Sequence, residues 1–99
     1  MSTPKQDIER RLEDPECAKC YGAELAKTEF GIILALAREK AGMSQTDIGR
    51  LVDISELYVN WVEKGDANLS LALAGKLLAV LGLRLKITAQ PLRGDDDGK

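Results

Sequence analysis

The chain has 99 residues, 44% hydrophobic and only 4% aromatic, with 14 basic and 16 acidic side chains, no histidine and a net charge of −2. That length suits one compact domain with tails, and no apolar run approaches the roughly 20 residues of a membrane span. Two cysteines without histidine leave little for metal or acid–base chemistry, and MSTPKQDIERR has no apolar signal region, which reads as a cytoplasmic protein.

Charge is spread evenly. Residues 1–27 carry five basic and six acidic side chains, residues 28–90 seven of each, and residues 91–99 two and three. No segment is strongly basic, so an anionic partner has to be held by local placement and helix N-termini rather than by a global field.

Taken in order, Thr3-Pro4 starts a first weak helix, with Pro at its first position and only Ile8 and Leu12 on an otherwise charged stripe. Asp14-Pro15 repeats the signal, and Cys17, Tyr21 and Leu25 fall on one face of a second weak helix. Both need packing against the domain or a partner. Cys17-x-x-Cys20 is half of a zinc site with no further ligands, so Cys17 reads as a small apolar residue beside Tyr21.

From Thr28 the pattern strengthens. Thr28 caps a helix whose inward face is Phe30, Ile33, Leu34 and Ala37. Arg38 and Lys40 sit in its last turn and Gly42 stops it. Ser44 caps a short helix with Ile48, Leu51 and Val52 inward, Asp53 takes the turn, and Ser55 caps another with Val59 and Val62 inward and Gly65 behind it. Ser70 caps LALAGKLLAVL, with Leu71, Ala74, Leu77, Leu78 and Leu81 inward and Gly82 as the stop. In residues 83–89 the period changes. Leu83, Leu85 and Ile87 alternate with Arg84, Lys86 and Thr88, which reads as a strand. One strand cannot satisfy its own backbone, so the expected partner is the same strand of a second copy across a two-fold axis. Pro91 ends it, and GDDDGK reads as a polar, disordered tail.

Two short helices joined by a tight turn, SQTDIGRLVDISELYVNWVEKG, match the helix-turn-helix, whose second helix enters the DNA major groove. The stretches AREKAGMSQTDIGRLV, ISELYVNWVEKG and NLSLALAGKLLAVLG resemble the Xre (Cro/CI-type) helix-turn-helix family over residues 28–82. The leader LEDPECAKCYGAEL and the terminal LGLRLKI resemble those of HigA- and HipB-like antitoxins. The resemblance implies an all-α fold of five to six helices with one C-terminal dimerising β-strand. It divides the chain into a leader at 1–27 that could be a toxin-binding arm, a DNA-binding domain at 28–82, a dimer strand at 83–90 carrying Leu83, Leu85 and Ile87, and a tail at 91–99.

It implies a homodimeric transcription regulator, the antitoxin of a type II toxin–antitoxin pair that represses its own operon. The alternatives are a protein-binding module that has lost operator recognition, or a phage-type regulator without a toxin. It implies DNA contacts at Gln45, Thr46, Ser55, Glu56, Leu57, Tyr58, Asn60, Trp61 and Lys64, with Gln45 on phosphate and Tyr58 and Asn60 able to read base edges. It also implies a structural ion pair between Arg38 and Glu63. The chain departs from the family at Glu56, an anion where Gln or Arg is usual, at Trp61, a commonly polar or basic position, and at Gly49 and Asp53 before and in the turn. Glu56 can accept only from a donor such as the cytosine amino group while repelling phosphate. Nothing in the chain pairs a nucleophile with a base, cradles phosphate or assembles a metal set, so the reading is of a non-enzymatic protein without cofactor.

Overall fold

A computed structural model describes residues 13–92. The helix expected from Thr3-Pro4 and the tail beyond Leu92 lie outside those residues. Of the described residues, 13–25 and 87–92 belong to one unit and Ala26–Lys86 to the other.

Four helices make up the described chain: α1 at Pro15–Lys40, α2 at Gln45–Val52, α3 at Glu56–Glu63 and α4 at Leu71–Ala79. Asp14 caps α1, its Oδ1 accepting from the Glu16 N–H at 3.1 Å, with Pro15 in the first position where no N–H is needed. Ser44, Ser55 and Ser70 cap the other three, each hydroxyl oxygen accepting from the N–H three residues on. At Ser44 the cap is reciprocal: Asp47 Oδ2 accepts from the Ser44 N–H at 3.0 Å. That backbone bond, followed by the bond to the Ser44 side chain, holds the Asp47 carboxyl below its ordinary range.

The core lies within the Ala26–Lys86 unit. Leu34, Ile48, Val59, Val62 and Leu77 are all but fully buried, one or two from each helix. Burying side chains of this size stabilises by about 1.5–3 kcal/mol apiece. Phe30, Met43, Ile54 and Leu73 close around them. Gly31 sets how closely α1 approaches α3. A Cβ there would stand 2.6 Å from the carbonyl oxygens of both Val62 and Glu63, so only glycine allows this contact.

Several sequence expectations are corrected. The helices expected on either side of Thr28 are one 26-residue helix. No glycine or proline stands between Ala23 and Phe30 to stop the first, so Thr28 lies mid-helix and caps nothing. The count among the described residues is therefore four where five were expected, the helix from Thr3-Pro4 lying outside them. The expected strand at residues 83–90 is irregular, and the described residues contain no strand. A lone chain offers no ladder partner. Leu85 packs onto the domain core while Leu83 and Ile87 stay exposed, so the three do not share one face. Ile33, Leu51 and Leu71, expected inward, are 50%, 58% and 69% exposed.

Candidate nucleic-acid interface

The turn between α2 and α3 is tight because two residues permit it. Asp53 ends α2 in the left-handed region (φ 70°, ψ 41°), which Asp tolerates better than most residues. Gly49 lets the chain fold back on itself. The Ile54 N–H donates to the Gly49 carbonyl at 2.9 Å, and a Cβ on Gly49 would lie 2.5 Å from the Ile54 carbonyl oxygen. Residue 49 is thus pressed directly against the turn.

Helix α3 buries Val59 and Val62 and turns its other side outward. Glu56, Leu57, Trp61 and Lys64 are exposed there, and Asn60 is half-buried. Leu57 is 55% exposed and Trp61 46%.

A polar brace runs behind this face. Arg38 Nε lies 2.6 Å from Glu63 Oε2 and its Nη2 3.1 Å from Oε1, a two-pronged pair whose side chains are 14% and 7% exposed. Arg38 Nη1 donates to the Met43 carbonyl at 2.9 Å, tying the pair to the α1–α2 connection. The Glu63 carboxylate raises the Arg38 guanidinium above its already high ordinary value, which burial alone would lower.

Gln45 joins the brace. Its Nε2 donates to Glu63 Oε1 at 2.9 Å and to Asn60 Oδ1 at 3.3 Å. The carboxylate fixes the amide orientation, because a flipped Gln45 would face one oxygen against another. Both Gln45 donors are therefore committed, and the side chain has only its carbonyl left, which cannot bond a phosphate oxygen. Asn60, accepting through Oδ1, keeps its Nδ2 donors for a partner.

Thr46 Oγ1 donates to Glu56 Oε1 at 2.9 Å, joining the first turns of α2 and α3. The Tyr58 hydroxyl donates to the Asn68 carbonyl at 2.8 Å and so braces the loop before α4, leaving its oxygen only as an acceptor. Ser55 is committed as a cap. Sequence reasoning missed the Thr46–Glu56 and Gln45–Glu63 bonds. Helical periodicity gives each helix its faces, but which polar atoms meet depends on how the helices cross.

Among the described residues no group of three or more His, Cys, Asp or Glu is placed to hold a metal ion, and Cys17 and Cys20 form no disulfide. No helix among them is long and apolar enough to cross a membrane.

Residues 29–86 match the family model described as a helix-turn-helix domain. No curated protein and no solved structure matches the chain. The matched span begins beside Thr28, where α1 meets the Gly65 turn, and takes in α2, α3, α4 and the whole polar brace. Two short helices, α2 and α3, joined by a tight turn with the second turned outward, are the arrangement of a helix-turn-helix. The chain belongs to the helix-turn-helix domain family of DNA-binding proteins.

Proposed function

We propose that this chain is a sequence-specific DNA-binding transcription regulator that acts as a homodimer, with α3 as the recognition helix. The observation that carries the reading is the brace of Arg38, Glu63, Gln45 and Asn60, which fixes the groove-side amide of Asn60 before any partner arrives. Ordering such a group in advance removes an entropy cost from binding. In a dimer on one duplex face the two recognition helices lie about 34 Å apart, one helical turn.

The orphan segment at residues 83–90 gains its ladder only when a second copy supplies it. Ile87→Pro, which deletes a backbone donor there, then shifts the protein toward monomer in sedimentation. The resemblance of LEDPECAKCYGAEL to an antitoxin leader supports a toxin as the further partner. Co-purification with the product of a neighbouring toxin-like reading frame tests that, and a gene neighbourhood without such a frame removes it.

A gel shift against duplex DNA at increasing salt tests the main reading. Binding that prefers some sequences, with a shallow salt slope, supports it. Failure to bind any duplex at low salt overturns it. One observation favours a second reading in that event. Leu57 and Trp61 lie four residues apart on the exposed side of α3, an apolar pair suited to a protein partner.

A further inference from the structure

The outward side of α3 carries a carboxylate at its first position, where a phosphate backbone would repel it. Its surroundings give that anion a task. Glu56 is exposed, and the Thr46 hydroxyl 2.9 Å away donates to one of its oxygens. That bond holds the side chain across the gap between the first turns of α2 and α3, and it leaves Oε2 uncommitted. The N-terminus of α3 also favours a negative charge at this place. The result is a fixed acceptor at the end of the recognition helix that enters the groove first.

Major-groove edges offer hydrogen-bond donors on two bases, the N4 amino of cytosine and the N6 amino of adenine. The adenine amino sits beside the N7 acceptor, which faces the second carboxylate oxygen with like polarity. The cytosine amino has no acceptor beside it on its own ring. Resting on the reading of the chain as a DNA-binding regulator, we propose that Glu56, positioned by Thr46, selects cytosine at one position of each half-site.

The test is selection from a random duplex pool by the full chain, followed by sequencing of the bound fraction. The wild type enriches a motif with cytosine at one position per half-site, preferred over other bases by roughly 5- to 150-fold. Glu56→Gln moves the preference at that position to adenine, because an amide offers the donor–acceptor pair that adenine matches. Glu56→Ala loses preference there and keeps the rest of the motif. Thr46→Val, which removes the hydroxyl and keeps the shape, retains the motif with a weaker cytosine preference. A wild-type motif with no such cytosine overturns the proposal. So does a Glu56→Gln variant that binds every sequence more tightly with its motif unchanged, since Glu56 then only repels phosphate. In both cases the chain still binds DNA and the regulator reading stands. A wild type that retains no duplex at low salt removes both.

Discussion

Removing either member of the Arg38–Glu63 pair is the sharpest test of how this domain holds together. The pair joins α1 to α3 through two bonds of 2.6 and 3.1 Å, with side chains 14% and 7% exposed. Breaking a buried pair from one side costs roughly 3–5 kcal/mol, and a surface pair about 1 or less. The two members are not equivalent. Arg38→Met leaves the carboxylate nearly buried with only the Gln45 amide, so we expect a loss of about 3 kcal/mol, the low end of the buried range. Glu63→Leu leaves Arg38 its bond to the Met43 carbonyl, and Glu39 lies 3.9 Å away at the surface. Its long stem also lets the head swing toward water, so about 2 kcal/mol is expected. The double variant strands no charge and should cost well under the sum, with a coupling of about 1.5–2.5 kcal/mol. Urea unfolding at neutral pH, followed by circular dichroism, gives all three values if the slope stays constant. A coupling below about 0.5 kcal/mol, the level of an exposed pair, would refute the reasoning.

Gly31→Ala should destabilise by about 1–2 kcal/mol. The added methyl meets two backbone carbonyls at 2.6 Å that cannot rotate away, and this overpacking outweighs the roughly 1 kcal/mol by which alanine favours helix. An alanine variant melting at or above the wild-type temperature would contradict the close approach of α1 to α3. Asp47 has a folded-state value depressed by its bonds to Ser44, so its contribution is present above the unfolded carboxylate range and is lost as pH falls through the folded value. Melting temperatures measured down from pH 5 should therefore fall less steeply for Asp47→Asn than for the wild type. Identical slopes would mean that the reciprocal cap contributes no acid dependence.

What the sequence made legible was local chemistry. Ser44, Ser55 and Ser70 each stand before an apolar period of 3.6, and all three cap helices. Asp53 was readable as a left-handed turn residue because few side chains tolerate that backbone. Thr28 misled because capping residues also occur inside helices, and only a breaker upstream would have ended the preceding one. Ile33, Leu51 and Leu71 lie at the edges of their apolar stripes, where periodicity fixes the face but not its width. The alternation at Leu83, Leu85 and Ile87 is real in the sequence, yet a strand is a property of two segments, and the described residues supply only one. Gln45 shows the remaining limit. Its amide was readable as a donor, but the acceptors that claim it come from α3 through tertiary packing.

The same brace bears on how a protein of net charge −2 could recognise DNA at all. Several groups that could reach phosphate are already engaged: Arg38 by Glu63, both Gln45 donors by Glu63 and Asn60, and the Tyr58 proton by Asn68. Asp47 and Glu56 place negative charge in the first turns of α2 and α3, offsetting the pull of those helix ends on phosphate. On the proposed reading, non-specific attraction, which comes from cations on phosphates, is therefore expected to be weak. Groups held in place before binding lose little entropy on meeting a base edge. The free energy of a correct site must then come mainly from matched bases, and that of an incorrect site has little else to draw on. The role proposed for Glu56 sharpens the contrast, because without an amino group opposite it a carboxylate in the groove is a net cost. On that reading, an acidic helix-turn-helix of this kind gives up affinity for DNA in general and keeps it where the bases fit.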